Sequence, residues 1–169
     1  MLSVSNLTIS PLPWTHPDSV QLRAAQRIEV DAIGGGEAGT PPSAADIPVF
    51  LVAYYAGVAV GCGGLRPLSP SDRTPNNAAE IKRMFVDAAY RGPMEETDGV
   101  CTSIAQVVLA RLEQEGLKQD WLVLLLETGR SMTKARRFYE RCGYSLRGGF
   151  GGYSEADDSV YYEKRLHLV

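Results

Sequence analysis

Six apolar residues, Trp121-Leu-Val-Leu-Leu-Leu126, run without a polar interruption just after the clearest helical stretch of the chain. A membrane helix needs about 20 such residues, so this run has the length of a strand. Its lack of alternation marks a strand buried on both faces, as in a parallel sheet. Parallel partners require a crossover, and the preceding residues supply one. Ala79–Val86 reads as a strand. Val100–Glu115 reads as a helix with Ile104, Val107, Val108 and Leu112 as its apolar stripe and Gly116 as its stop. Ala79–Leu126 is therefore expected to form a right-handed strand–helix–strand unit.

The remaining segments fit around that unit. Leu7–Ile9, broken by Pro11 and Pro13, reads as an edge strand. Thr15-His-Pro-Asp18 starts a helix capped by Thr15, with Val20, Leu22, Ala25, Ile28 and Ile33 at roughly helical spacing and a stop at Gly34-Gly-Gly36. A loop to Asp46 follows. Val49–Tyr54 and Val58–Leu65 flank Tyr55-Ala-Gly57 as a β-hairpin. In Ala79–Val86, Ile81 and Phe85 share one parity and Met84 and Val86 the other, which a β-bulge reconciles. Ser131 is expected to cap a helix over Met132–Arg141 stopped by Cys142-Gly143, and Val160–Leu166 reads as a last strand. With 169 residues and no composition break, one mixed α/β layered domain over 1–169 is expected.

Charge and cysteine usage narrow the function. Seventeen basic residues against 20 acidic ones give a net charge of −3, which disfavours a general nucleic-acid binder. No stretch reads as a membrane span or a secretory signal. The two histidines and three cysteines show no metal-ligand spacing, so no metal is expected. The odd cysteine count without CxxC indicates a reducing, cytoplasmic compartment. Cys62 and Cys142 read as small core residues rather than nucleophiles.

Several segments, taken in order, carry a resemblance. They are Val58-Ala-Val-Gly-Cys-Gly-Gly-Leu65, Ala79-Glu-Ile-Lys-Arg-Met-Phe-Val86 with Tyr90-Arg-Gly92, Leu126-Glu-Thr-Gly129, Ala135-Arg-Arg-Phe-Tyr-Glu-Arg-Cys-Gly-Tyr144 and Tyr161-Tyr-Glu-Lys-Arg-Leu166. Together they resemble the GNAT superfamily of acetyl-CoA-dependent N-acetyltransferases. The resemblance implies a single-domain GNAT-like fold: a mixed, mostly antiparallel sheet with a central β-α-β crossover, splayed strands and flanking helices. It also implies that a primary amine of a small molecule attacks acetyl-CoA, the co-substrate, directly in a ternary complex.

The resemblance distributes roles residue by residue. Glu80, or a water it orders, is the expected base, since a carboxylate beside a buried sheet can be tuned for proton abstraction. Tyr139 is the expected acid that returns a proton to the leaving thiolate. Met84, Phe85 and Val86 would offer backbone groups to the pantetheine arm, with an amide near Phe85 polarising the thioester carbonyl. Arg91, Gly92, Gly99, Thr102 and Ser103 would hold the pyrophosphate at the helix start, and Lys134 the 3′-phosphate. The loop departs from the family's Arg/Gln-x-x-Gly-x-Gly/Ala pattern, because Glu95, Glu96 and Asp98 follow Arg91-Gly92. Phe150 and Tyr153, in a glycine-rich segment, are the expected acceptor contacts. Many family members are homodimers, which leaves a homodimer open. A non-catalytic CoA- or protein-binding domain on the same scaffold is the second reading.

Overall fold

The structure is a computed structural model that describes residues 2–95, 101–154 and 158–167. In chain order its strands are β1 (Leu2–Ser3), β2 (Leu7–Pro11), β3 (Val49–Tyr55), β4 (Val58–Leu68), β5 (Ala78–Val86), β6 (Met94–Glu95), β7 (Cys101–Thr102), β8 (Val123–Gly129), β9 (Ser145–Arg147) and β10 (Ser159–Arg165). Its α-helices are α1 (Pro17–Ala32), α2 (Ile104–Lys118) and α3 (Thr133–Arg141). Seven strands form one sheet in the order β2-β3-β4-β5-β8-β10-β9, and β1, β6 and β7 form a small second sheet. Among the described residues, only β5 and β8 pair in parallel within the main sheet. The fold is the mixed, mostly antiparallel sheet with a central crossover that the sequence resemblance implies.

Alternation along the strands divides the core. Leu51, Ala53, Leu124 and Leu126 face one side, where Ile104, Val108, Leu109 and Leu112 of α2 cover them. Phe50 and Val52 face the other side and pack with Leu22 of α1, Ile47 and Cys62. Val123 and Leu125 meet Phe150, Tyr153 and Tyr161 on that second side. Val123–Leu126 is thus buried on both faces, which follows from its central place between β5 and β10.

The hairpin and the bulge form as expected. Ala56 and Gly57 take φ of 48° and 82°, the left-handed pair of a tight hairpin turn. On β5, Arg83 and Met84 together stand opposite Gly63, and the register shifts there. Arg83 takes φ of 59° to make the bulge.

Four local expectations are corrected. His16, not Thr15, caps α1, with its Nδ1 accepting from the Asp18 amide at 3.2 Å. Of the predicted stripe of α1 only Leu22 is buried, joined by Ser19; Val20, Ile28 and Ile33 are 47%, 72% and 57% exposed. Helix α2 starts at Ile104 and runs through Gly116 to Lys118, because Gly116 lies close against Leu124 and Leu166. Ser131 does not cap α3, whose N-cap is Met132 without a side-chain bond. Among the described residues, no helix is long and apolar enough to cross a membrane.

Candidate active site

Strands β5 and β8 are paired only from Ala78 to Glu80 against Val123 to Leu125. Beyond that point they part, while β5 stays bonded to β4 and β8 to β10. The bulge at Arg83–Met84 bends β5 at the split, since an extra residue increases local twist. A cleft of about 370 Å³ opens between the strands. Its walls come from β5 (Ile81 to Met84), β8 (Glu127 to Gly129), α1 with its following loop, and α3.

Tyr139 lines this cleft. Its ring stacks edge-on against Phe138 and Tyr144, with centroids 5.2 and 5.7 Å away. Burial pushes the phenol well above its ordinary value, so it holds its proton at neutral pH. Met84 and Ala135 line the cleft beside it.

Glu127 is a titratable wall residue that the sequence reading passed over. It accepts a hydrogen bond from Ser159 Oγ at 2.7 Å. Burial raises its pKa above the ordinary carboxylate value, and Ser159 and Lys82 oppose that rise. The signal was present in the sequence: a lone acid directly ending a doubly apolar strand run, in Leu126-Glu127-Thr128-Gly129.

Glu80 sits deeper, at 1% exposure, in a closed polar network. Arg66 Nε and Nη2 donate to its Oε2 at 3.1 and 2.7 Å. Tyr153 Oη donates to its Oε1, and Lys82 Nζ lies 3.4 Å from the same atom. Lys82 also donates to Tyr153 Oη at 3.1 Å. Arg66 reaches on to Thr40 O and to Asp46, at 2.8 and 3.3 Å. Burial and the Glu80 charge push the Tyr153 phenol well up, so it stays a donor. The lone pairs of Glu80 are therefore committed to protein partners, unlike those of a base waiting for a proton. Of this network, Lys82 alone lines the cleft.

The other expected residues divide. Phe150 has no exposed surface and packs against Tyr153 and Tyr161, which removes it from direct acceptor contact and makes it a support. Tyr153 is buried at the Glu80 network rather than open to an acceptor. Phe85 stands opposite Cys62 and Val86 opposite Gly61 in the β4 pairing, and Val86 packs into the core. Arg91 turns to α1: its Nε donates to Val86 O at 2.7 Å, and its Nη2 lies 2.8 and 2.7 Å from Glu29 Oε1 and Oε2. Gly92 takes φ of 122°. Thr102 ends β7, and Ser103 caps α2 by accepting from the Gln106 amide at 3.3 Å. Lys134 is exposed on the first turn of α3. Gly99, Glu96 and Asp98 lie outside the described residues. Burial pushes the Cys62 thiol up to about 12, consistent with a packing role.

Residues 20–144 match the model of the acetyltransferase (GNAT) family. The chain belongs to that family. It is 34% identical over 117 residues to the IAA acetyltransferase of Azospirillum brasilense, covering 69% of this chain and 67% of that protein. It is 29% identical over 119 residues to the N-acetyltransferase YsnE of Bacillus subtilis, covering 69% of each. A Klebsiella pneumoniae structure described as an acyl-CoA N-acyltransferase superposes with a TM-score of 0.74 at 27% identity, over 95% of this chain and 98% of that one. The YncA acetyltransferase structure from Salmonella typhimurium, which holds acetyl-CoA, shares the fold with a TM-score of 0.60 at 14% identity, over 96% and 95% of the two chains. This GNAT protein is thus an acyltransferase enzyme.

Proposed function

We propose that this GNAT enzyme transfers the acetyl group of acetyl-CoA to a primary amine of a small molecule, with Glu127 taking the amine proton and Tyr139 protonating the leaving thiolate. The observation that carries the reading is that a proton-holding phenol and a half-buried carboxylate line one cleft at the parting of β5 and β8. Beyond Glu80 no described strand pairs with the β8-facing edge of β5. That edge suits the amide groups of a pantetheine arm, as an added strand would.

The residues fit acetyl-CoA as co-substrate. Edge groups of β5 near Met84 would hold the pantetheine, and the first-turn amides of α2 after Ser103 the pyrophosphate. No acid occupies that first turn. When bound, acetyl-CoA supplies an activated acyl group. Glu127 accepts a proton from the ammonium, and its burial brings it closer to the working range of a base than an exposed carboxylate would be. The freed lone pair forms the C–N bond at the thioester carbon. The C–S bond breaks as the Tyr139 phenol protonates the sulfur. The second proton, which the nitrogen sheds on becoming an amide, restores the Tyr139 phenol, and Glu127 returns its proton to solvent. Glu80 acts behind this pair as a positioning residue, holding Lys82 at the cleft wall both directly and through Tyr153.

Calorimetric titration of acetyl-CoA, followed by thiol release with a panel of amines, tests the reading. Micromolar binding and amine-dependent thiol release are expected. Absence of binding at millimolar acetyl-CoA would overturn it.

A further inference from the structure

On the α1 side of the cleft two arginines converge on one carboxylate. Arg27 Nη1 donates to Glu37 Oε2 at 3.0 Å, and Arg83 Nη2 lies 3.0 Å from both Glu37 oxygens. All three residues line the cleft. The arginines are fixed from behind. Arg27 belongs to α1 and keeps a second partner in Asp31 at 2.7 Å. Arg83 is aimed by the bulge, at a φ of 59° that a residue with a Cβ adopts only at an energetic cost.

Glu37 is tethered differently. It lies between α1 and β3, in a segment with no helix or strand. Gly34-Gly-Gly36 precede it; the Gly35 amide donates to Val30 O and Gly35 packs on Val30, while a Cβ on Gly34 or Gly36 would meet nothing within 4 Å. A rigid arginine pair and a carboxylate on a glycine-rich arm have the geometry of a site and an exchangeable occupant. Planar guanidinium groups recognise carboxylates through paired, charge-assisted hydrogen bonds.

We infer that Arg27 and Arg83 bind a carboxylate of the acceptor, that Glu37 occupies this place when the acceptor is absent, and that the acceptor is therefore an amine carrying a carboxylate, of the amino-acid class. The inference rests on the amine-acetyltransferase reading and names the substrate class of that site. Exchange of Glu37 for a substrate carboxylate leaves the local charge unchanged, so Arg83 keeps a carboxylate partner in both states while Arg27 also keeps Asp31. The opposite need, a place for an ammonium, is met in the same cleft by Glu127; Asp158, paired with Arg130 at 3.2 Å, also lines it. The Glu37 charge contributes to the raised pKa of Glu127, so the two anions lie within one field. A short molecule with a cationic and an anionic end matches that arrangement. An internal competitor also lowers apparent affinity by the fraction of time it occupies the site.

The test uses sets of three compounds that share a side chain: alanine, leucine or phenylalanine, the matching carboxamide, and the matching decarboxylated amine. The acid is expected to exceed its carboxamide at least tenfold in kcat/KM. Glu37→Gln should lower KM for the acid three- to tenfold and move the carboxamide's KM less than twofold. Arg83→Gln should abolish the preference for the acid, and Arg83→Lys should keep part of it. Thiol release with the amines but without preference for the acids would overturn the carboxylate site and leave acetyl transfer standing. A Glu37→Gln variant that raises KM for acid and carboxamide alike would show Glu37 to be a brace only. If no amine releases thiol, calorimetric binding of the three amino acids to wild type and Glu37→Gln decides. Tighter binding to the variant supports the site while the transfer reading fails, and no binding to either overturns the site.

Discussion

At Tyr139 one oxygen separates packing from chemistry. The ring is held edge-on by Phe138 and Tyr144, and phenylalanine would keep both contacts. Tyr139→Phe is therefore expected to fold normally and bind acetyl-CoA within twofold of wild type. Its kcat should fall about 10²-fold, the lower end of general acid–base contributions. An unchanged kcat, or a loss of acetyl-CoA affinity as large as the loss in kcat, would remove the proton-donor role. A second residue-scale device is Gly63, opposite the bulge. A Cβ there would come within 2.6 Å of Met84 Sδ and 2.9 Å of Leu112 Cδ1. Gly63→Val should cost about 1–3 kcal/mol by overpacking, measured by denaturant unfolding, and weaken acetyl-CoA binding by displacing Met84 at the cleft. Legibility at this scale depended on whether a role is local. The position of Tyr139 at the cleft could be read from its own helix. The commitment of Glu80 could not, because its partner Arg66 is directly opposite only in the β4/β5 register. Nothing about 14 residues of sequence separation announces that pairing. The same holds for Phe150, whose burial against Tyr161 depends on how the segment after β9 folds back over the sheet.

Elements were readable where the pattern had a single solution. The tight turn at Ala56-Gly57, the parity break in β5 and the doubly buried β8 each admit one backbone geometry. Helix ends and faces were less readable, since several polar residues compete for each cap and tertiary packing chooses among apolar stripes. In α1 the choice fell on Ser19 and Leu22, which pack under β3 and β4, and left Ile28 in solvent. The start of α2 gives a test that separates stability from binding. Ser103 accepts from the Gln106 amide, and no acid lies in the first turn. Ser103→Ala should cost about 1 kcal/mol of stability through the lost cap. Ser103→Asp keeps a capping oxygen but places a negative charge where the pyrophosphate is expected. Its thermal midpoint should match wild type while acetyl-CoA binds at least tenfold more weakly. Equal affinity for wild type and Ser103→Asp would show that the pyrophosphate lies elsewhere.

At the scale of the whole molecule the cleft is the price of parting two central strands, and its polar groups carry that cost. Glu127 shows it in a form that can be measured. Its carboxyl is held above the ordinary value mainly by burial, so the folded state binds more protons than the unfolded chain in the window above about pH 4.3, the unperturbed glutamate value. Stability must then fall as pH rises through that window. Glutamine at this position cannot titrate and can still accept from Ser159. Glu127→Gln is thus expected to melt at a higher temperature than wild type at pH 7 to 8, with the gap closing below about pH 4, where the wild-type carboxyl is protonated in both states. The same substitution removes the proposed base. Its kcat/KM should fall about 10²-fold or more, and it should lose the acid limb of the wild-type pH profile. A structural glutamate would give the reverse pattern, with stability lost at every pH and the pH profile kept. Gain of stability together with loss of the acid limb is the combination that only a strained catalytic carboxylate produces.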